Sequence, residues 1–417
     1  MLPMAHALHH LKERGLIQQL SSDELGDHLN QPRHFYLGID PTAESLHIGN
    51  LVGLIVAKWL QKEGHTPVII TGGATAKIGD PSGKSDERPL LEFAQIEANA
   101  RALQKTCESI LSGDSPKPIF LNNDSWIGSF SFIDFLRDVG KHFRLGPMLA
   151  KEMVKTRLAS DAGLSFTEFS YQLLQGYDFA HLFEKEGVTL QIGGSDQWGN
   201  ITAGIDCGRK MKGAALFGLT HPLLLKSDGT KFGKSAGGAV WLSKEKLAPY
   251  GLYQYLVRTD DSDVFRMLQM LTFLPLEEIE TLKSAKTGTA QKRLAYEVTT
   301  LVHGMDEAEK AEKASALAAP GKTSALDATS LAALSGQIPT HKLKRSDVIG
   351  HKIIDVLVAS GIAESKGALR RLIQNRGLYL NEVIAEDPSA LFEESAAIGS
   401  YFLLALGKKN KILIELI

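Results

Sequence analysis

Short apolar runs alternate with amphipathic stretches through the first half of the 417-residue chain. Four runs have the length of buried strands: 35–39, 67–71, 118–122 and 188–192. Four other stretches have helical periodicity: 51–63, 90–111, 130–139 and 166–186. This alternation predicts an α/β fold in which helices cover a parallel sheet. In such a sheet the ligand lies beyond the carboxyl ends of the strands, near a helix N-terminus.

The pattern changes near residue 241, after which helical periodicity dominates. Helices are predicted over four ranges: 261–271, 276–283, 290–303 and 306–318. Residues 319–340 are rich in Ala, Ser, Gly, Thr and Pro, a composition typical of a linker. The rest of the chain predicts a compact unit with helices over 344–360 and 365–375 and part of a hairpin over 378–384.

The composition is that of an ordinary globular protein, with 43% hydrophobic residues, 23% charged residues and a net charge of −2. Cys107 and Cys207 have no partnering Cys or His cluster, which excludes a disulfide framework and a zinc ribbon, and no protein-bound metal is expected. The N-terminus lacks an apolar signal-peptide core, and no window reaches the roughly 20 apolar residues of a membrane span. We therefore expect a cytoplasmic protein with no membrane partner, and a processed organellar protein remains the open alternative.

The C-terminal unit is slightly basic, since residues 341–417 hold 11 Lys and Arg against 9 Asp and Glu. In the predicted helix 365–375 the apolar residues share one face. Four basic residues lie off that face or just after the helix: Lys366, Arg370, Arg371 and Arg376. Two interpretations remain open. The basic residues form either a solvated helix face or a patch that contacts nucleic-acid phosphates, with binding that weakens steeply as the salt concentration rises.

Two short motifs combine glycine with cationic or hydrogen-bond-donating side chains. They are His47-Ile48-Gly49-Asn50 and Lys231-Phe232-Gly233-Lys234-Ser235. Such groups can hold a triphosphate and stabilise the charge that develops when it is attacked. The G-x-G-x-x-G pattern of dinucleotide oxidoreductases and the Walker A motif are both absent. The glycine-rich stretch 79–84 is either a surface loop or backbone that makes room for a nucleotide.

Together, these motifs resemble the two signatures of class I aminoacyl-tRNA synthetases, usually His-Ile-Gly-His and Lys-Met-Ser-Lys-Ser. Four longer segments are similar to bacterial-type tyrosyl-tRNA synthetases: 36–47, 79–84, 170–178 and 191–200. The resemblance covers nearly the whole chain. It implies a Rossmann-like catalytic domain over 1–225, a mobile loop over 226–240, an α-helical domain over 241–318, a linker over 319–340 and a small α+β RNA-binding domain of the alpha-L type over 341–417.

The resemblance implies an ATP-dependent ligase. The carboxylate of L-tyrosine would attack the α-phosphate of ATP, which carries Mg²⁺, and the tyrosyl group would then pass from the adenylate to the terminal adenosine of tRNA(Tyr). The residues expected at the phosphates are His47, Asn50, Thr42, Lys231 and Lys234, with Lys84 and Arg88 as further contacts. Asn50 replaces the usual second histidine, and its amide can donate a hydrogen bond but cannot be cationic. A homodimer is implied by the resemblance alone.

The resemblance also places the phenol hydroxyl of bound tyrosine between Tyr36 and Asp178, where phenylalanine would leave both groups unpaired. Tyr171, Gln175 and Asp178 recur at spacings of four and three, so they share one helix face. The remaining assignments are Tyr171, Gln175, Asp80, Asp40, Gln191 and Gln197 to tyrosine and Gly38, Asp40, Gly49, Gly194 and Asp196 to ATP or the adenylate. Trp126 is interpreted as a core residue.

Two alternative functions remain open. A tryptophanyl-tRNA synthetase shares the fold and both signatures, but Tyr36, Asp178 and the C-terminal module favour tyrosine. A catalytically silent RNA-binding relative would fit the departure at Asn50 and the basic C-terminal unit. The presence of His47 and of both loop lysines favours an enzyme.

Overall fold

The computed structural model describes residues 6–82, 91–161, 163–235, 238–317, 328–335, 338–407 and 410–417. The chain forms two compact units. The first contains Met1–Lys246 and Asp260–Ala290, and the second contains Leu247–Thr259 and Gln291–Ile417. Within the described ranges, no helix has both the length and the apolar character needed to cross a membrane.

The first unit is built on a six-stranded sheet. Its strands are β1 (Gln19–Leu20), β2 (His34–Ile39), β3 (Thr66–Thr71), β4 (Ile119–Asn122), β5 (Val188–Gly194) and β6 (Phe217–His221). Their order is β1-β6-β5-β2-β3-β4, and all neighbours are parallel except β1 and β6. The predicted parallel sheet is confirmed, and β2 to β5 are the four predicted strands. The sequence pattern does not predict β1 or β6.

Helices flank this sheet. The first ten are α1 (His6–Glu13), α2 (Leu25–His28), α3 (Ile48–Lys62), α4 (Phe93–Leu111), α5 (Asp124–Ile127), α6 (Phe132–Asp138), α7 (Leu145–Leu149), α8 (Glu152–Leu158), α9 (Phe166–Glu186) and α10 (Trp198–Lys212). Helix α3 is buried along most of its length because it packs against β3, α1 and α4. Helix α9 has the predicted bounds. It starts after Ser165, whose hydroxyl accepts a hydrogen bond from the Glu168 N–H, and ends at Gly187 with a φ of 66°.

Beyond β6 the chain forms a short ribbon and then crosses between the units. The ribbon pairs β7 (Lys234–Ser235) with β8 (Gly238–Ala239). Helix α11 (Pro249–Val257) belongs to the second unit, while α12 (Asp261–Leu271) and α13 (Leu276–Leu282) belong to the first. Helix α12 packs against α3, so the first unit includes helices from the region predicted to be purely helical.

The second unit combines helices with a five-stranded sheet. Its further helices are α14 (Thr289–His303), α15 (Met305–Leu317), α16 (Ala328–Leu334), α17 (Arg345–Val348), α18 (Ile353–Ala359) and α19 (Lys366–Gln374). Its strands are β9 (Thr340–Leu343), β10 (Leu378–Leu380), β11 (Val383–Ile384), β12 (Tyr401–Leu406) and β13 (Asn410–Leu416). Their order is β11-β10-β12-β13-β9. Helix α16 lies inside the stretch 319–340 predicted as a linker, of which residues 319–327 and 336–337 lie outside the described residues.

The predicted helix 344–360 is wrong as a single helix, because it is divided into α17 and α18. Gly350 lies between them with a φ of 79°, and its N–H donates to the carbonyl oxygen of Phe392 at 2.8 Å. A backbone in the left-handed region cannot continue a right-handed helix. The hairpin prediction is confirmed in β10 and β11, which are joined through Asn381 and Glu382 with φ values of 47° and 68°.

Candidate active site

A cavity of about 510 Å³ in the first unit gathers most of the predicted site residues. Those that line it are Tyr36, Gly38, Asp40, Thr42, His47, Gly49, Asn50, Asp80, Tyr171, Gln175, Asp178, Gln191, Gly194, Asp196, Gln197 and Lys231. Lys84 and Arg88 lie outside the described residues, and Lys234 is described through its backbone alone. The four predicted C-terminal basic residues belong to the second unit.

The deepest charged group of the cavity is the carboxylate of Asp178 on α9, which is 3% exposed. Its Oδ1 accepts a hydrogen bond from Trp126 Nε1 at 2.7 Å, and its Oδ2 accepts one from Asn123 Nδ2 at 3.0 Å. Burial raises the pKa of Asp178 to about 7, although the two donors oppose that shift and the charge of Asp40 adds to it. The carboxylate is therefore poised between its two protonation states near neutral pH.

The hydroxyl of Tyr36 lies at the same end of the cavity. Tyr36 is 1% exposed, and its ring packs edge-on against Phe179 with ring centres 5.2 Å apart. Burial, with a further contribution from Asp178, raises the pKa of Tyr36 well above its usual range, so the phenol is neutral. Its oxygen is buried and has no hydrogen-bond partner among the described residues. A buried hydroxyl in the wall of a cavity is a group that a ligand in that cavity can satisfy with a hydrogen bond.

A chain of hydrogen bonds runs from Asp178 toward the middle of the cavity. Asn123 Nδ2 also contacts Thr75 Oγ1 at 3.1 Å, and Thr75 Oγ1 donates to Asp40 Oδ1 at 2.6 Å. The other oxygen of Asp40 accepts from the hydroxyl of Tyr171 at 2.9 Å. Five side chains from α9 and the loops after β2, β3 and β4 therefore hold one another in place.

A second polar group surrounds Asp80, which is 6% exposed. Its Oδ2 accepts from Gln197 Nε2 at 2.8 Å, and its Oδ1 accepts from the Ser82 N–H at 2.9 Å. On the same wall, the side-chain oxygens of Gln175 and Gln191 are buried and have no partner within the described part of the chain. These acceptors and the nearby carboxylates suit a cationic donor.

The N-terminus of α3 also lines the cavity. His47 is the N-cap residue, and its backbone N–H donates to Asn50 Oδ1 at 3.0 Å. This bond fixes the orientation of the Asn50 amide. Its oxygen is occupied as an acceptor, and its NH₂ group can donate to a ligand. The helix begins at Ile48, so its first N–H groups and the positive end of its dipole lie beside these two side chains.

The two signature motifs meet at this helix end. Gly233 has a φ of 91°, and a Cβ atom there would lie 2.3 Å from Ile48 Cγ2. The Ile48 N–H donates to the Val240 carbonyl at 2.9 Å, and the Leu242 N–H donates to the Leu46 carbonyl at 2.8 Å. Both the conformation and the close approach require glycine at position 233.

Comparison with known proteins shows to which family this chain belongs. The family described as "tRNA synthetases class I (W and Y)" matches residues 28–318, which leaves tryptophan and tyrosine enzymes open. The domain described as "Tyrosine--tRNA ligase SYY-like C-terminal domain" matches residues 330–414. A tyrosine–tRNA ligase of Protochlamydia amoebophila is 50% identical over 99% of each chain. The chain belongs to the tyrosine–tRNA ligase family.

Two further members of the tyrosine–tRNA ligase family support this placement. The chloroplastic/mitochondrial tyrosine–tRNA ligase of Arabidopsis thaliana is 46% identical over 97% of this chain and 83% of its own length. The crystal structure of a C-terminally truncated mitochondrial tyrosyl-tRNA synthetase from Aspergillus nidulans has a TM-score of 0.66 and 32% identity, over 73% of this chain and 92% of that chain. The predicted family is confirmed, and with it the predicted class of activity.

Three side chains of the Asp178 network are not among the predicted site residues: Asn123, Trp126 and Thr75. Trp126 is buried, as expected of a core residue, but its indole N–H also fixes Asp178. A buried tryptophan usually finds a partner for this donor, and that general tendency is the only sequence signal. Asn123 and Thr75 follow β4 and β3, where polar residues are common in loops, so their spacing does not single them out.

We expect Trp126→Phe to raise the pKa of Asp178 above its value of about 7. The indole N–H bonds the ionised carboxylate, so its removal favours the protonated form. A ¹³C NMR titration of the Asp178 carboxyl carbon measures this midpoint, with Trp59→Phe as a control because Trp59 does not bond Asp178. An unchanged midpoint in Trp126→Phe would show that the indole does not stabilise the ionised carboxylate.

Proposed function

We propose that this protein joins L-tyrosine to tRNA(Tyr) in two steps at the cavity described above. The carboxylate of tyrosine attacks the α-phosphate of ATP, which gives tyrosyl-adenylate and releases pyrophosphate. A ribose hydroxyl of the terminal adenosine of the tRNA then takes the tyrosyl group, and AMP leaves. The observation that carries this proposal is the buried, partnerless hydroxyl of Tyr36 beside the carboxylate of Asp178.

These two groups complement the phenol hydroxyl of tyrosine. Its O–H donates to Asp178, and its oxygen accepts from Tyr36. Phenylalanine would leave the hydroxyl of Tyr36 buried without a partner, which costs about 1–3 kcal/mol. It would also lose one hydrogen bond to Asp178, which keeps its bonds from Trp126 and Asn123. Tryptophan presents an N–H at a different position and has no acceptor for Tyr36. Tyrosine is therefore the amino acid that satisfies this end of the cavity.

The remaining lining residues orient the rest of the substrate. The ammonium group of tyrosine donates to Tyr171, Gln175 and Asp80, while Asp40, Gln191 and Gln197 fix the amino acid and the adenylate. Gly38, Gly49 and Gly194 let the adenosine approach the backbone, and Asp196 accepts from the ribose hydroxyls. This division is supported by the two partnerless amide oxygens and by the hydrogen bonds that hold Asp40 and Asp80 in fixed orientations.

The helix end provides the phosphate site. His47, Asn50 and Thr42 donate to the phosphates beside the positive end of α3, and Lys231 and Lys234 approach from the 226–240 loop. Lys84 and Arg88 are assigned further phosphate contacts. Mg²⁺ enters bound to ATP, as part of the substrate. Displacement at phosphorus depends mainly on positioning and charge stabilisation, and these groups supply both as charge moves to the leaving pyrophosphate.

ATP–pyrophosphate exchange with each of the 20 amino acids tests this function. We expect exchange with tyrosine and about 100-fold less with phenylalanine, roughly the combined effect of one unpaired hydroxyl and one lost hydrogen bond to a carboxylate. Exchange with tryptophan instead of tyrosine would make the protein a tryptophan enzyme. An absence of exchange with every amino acid would favour the catalytically silent RNA-binding relative.

We propose that tRNA binds the exposed side of α19. Leu369 and Ile373 are buried under this helix, while Arg370 and Arg371 face solvent. The other two predicted contacts are paired with acids, Lys366 with Asp355 at 2.9 Å and Arg376 with Glu386 at 2.9 Å. Phosphate binding must break these pairs, so Arg370 and Arg371 are the stronger candidates.

The double variant Arg370→Ala/Arg371→Ala should raise the KM for tRNA and reduce the salt dependence of tRNA binding, by a log–log slope of roughly one for each lost phosphate contact. Tyrosine–ATP exchange should be unchanged. Lys313→Ala is a matched control, because Lys313 is 76% exposed on a different helix. An unchanged salt slope in the double variant would exclude these arginines as phosphate contacts.

We also propose that the protein is a homodimer. Several large apolar side chains between α6 and α9 are exposed: Phe132, Ile133, Leu145, Leu158 and Phe166. A second copy of the chain would bury them. Sedimentation should give twice the 45.4 kDa chain mass. Phe166→Asp should give monomers, while Phe93→Asp, at a similarly exposed site on α4, should stay dimeric. A dimeric Phe166→Asp protein would contradict this interface.

The cytoplasmic location stays a prediction, since the similar ligase of Arabidopsis thaliana is a chloroplastic/mitochondrial protein.

A further inference from the structure

Residues 224–232 form a hairpin that carries Lys231. Two side chains of α12 bind the backbone of this hairpin, and we name them the Asp263–Arg266 clamp. Asp263 Oδ1 accepts a hydrogen bond from the backbone N–H of Ser227 at 2.8 Å. Arg266 Nη2 donates to the backbone carbonyl oxygen of Leu225. One side chain therefore holds an N–H of the hairpin and the other holds a C=O two residues away.

The clamp is built on a rigid support. Asp263 is 2% exposed, and its Oδ1 also accepts from Arg266 Nη2 at 3.0 Å, one helical turn further along α12. Helix α12 buries Val264, Met267, Leu268 and Leu271 and packs against α3. Helix α12 therefore contacts both parts of the site. It packs against α3, which starts at the first signature motif, and it holds the hairpin that carries Lys231 of the second motif.

The hairpin transmits the position of its first strand to Lys231. Leu225 and Lys231 form an antiparallel bridge, and the Phe232 N–H donates to the Leu224 carbonyl at 2.9 Å. The turn is closed by the Lys226 N–H, which donates to the Thr230 carbonyl at 2.7 Å. A movement of Leu225 must therefore move Lys231, which lies directly opposite.

We propose that Asp263 and Arg266 are positioning residues for the activation reaction, which act by fixing where Lys231 presents its ammonium group to the phosphates. This inference rests on the proposed function. Neither residue lines the cavity, so the clamp acts on the phosphates through the hairpin alone. Positioning is a large part of phosphoryl-transfer catalysis, so a small displacement of a cation at the leaving group lowers the rate.

Asp263→Ala and Arg266→Met, each in the full-length protein, should lower kcat for ATP–pyrophosphate exchange by about tenfold, the effect expected from one lost charge-assisted hydrogen bond. The KM for tyrosine should stay within about twofold of the native value, because the Asp178 end does not contact the clamp. Asp263→Asn keeps an oxygen for the Ser227 N–H and should lose less activity than Asp263→Ala. A role in folding alone would instead lower the active fraction, which active-site titration of tyrosyl-adenylate measures.

A double variant shows whether the clamp acts through Lys231. If it does, Lys231→Met/Asp263→Ala should be no slower than Lys231→Met, since the group that is positioned has gone. Asp206→Asn serves as the control, because it removes the pairs of Asp206 with Arg209 and Lys210 on α10 and should leave exchange unchanged.

Multiplicative losses in the double variant, or an Asp263→Ala protein with native kcat, would overturn the inference. The outcome is separable from that of the proposed function. Tyrosine-dependent exchange by the native protein, and its loss in Lys231→Met, test the function, whereas the clamp is tested by the ratios between variants. Exchange at the native rate in Lys231→Met would show that Lys231 is not needed for activation. The proposal that the clamp acts by positioning Lys231 would then be refuted as well.

Discussion

The buried carboxylate of Asp178 is the constraint on which the amino-acid end of the site depends. A negative charge in such a place is costly unless hydrogen bonds replace the lost water, and Trp126 and Asn123 supply two of them. Because Asn123 also contacts Thr75, and Thr75 bonds Asp40, the same network sets the position of Tyr171. Among the described residues, the hydroxyl of Tyr36 beside Asp178 has no hydrogen-bond partner, and we propose that the phenol of tyrosine supplies one.

The proposed phosphate site at the N-terminus of α3 depends on a different physical principle. The positive end of the α3 dipole lies in a fixed place beside His47 and Asn50, while the proposed cations come from a segment far along the chain. Gly233 brings the two together, because any side chain there would collide with Ile48. The same loop is held at its base by α12. The backbone at Lys231 therefore has a defined position relative to α12.

The sequence predicts much of the fold because the periodicity of β2 to β5 and of α9 is strong and local. It misses β6 and β12, whose pairing with distant strands decides their conformation. It also misjudges the helix near Gly350, where a contact with Phe392 favours the left-handed backbone. For the site, motifs indicate residues that contact substrate directly. Asn123, Thr75 and the clamp contact other side chains or backbone, and no spacing in the sequence marks such partners.

The most direct test of the account is the ratio of kcat/KM for tyrosine to that for phenylalanine, measured by ATP–pyrophosphate exchange in the native protein and in Tyr36→Phe. The account predicts that the native protein strongly prefers tyrosine. It also predicts that the ratio falls by about tenfold or more in Tyr36→Phe, since the variant loses a bond to tyrosine and no longer buries an unpaired hydroxyl with phenylalanine. An unchanged ratio would contradict the claim that this end of the cavity selects the amino acid.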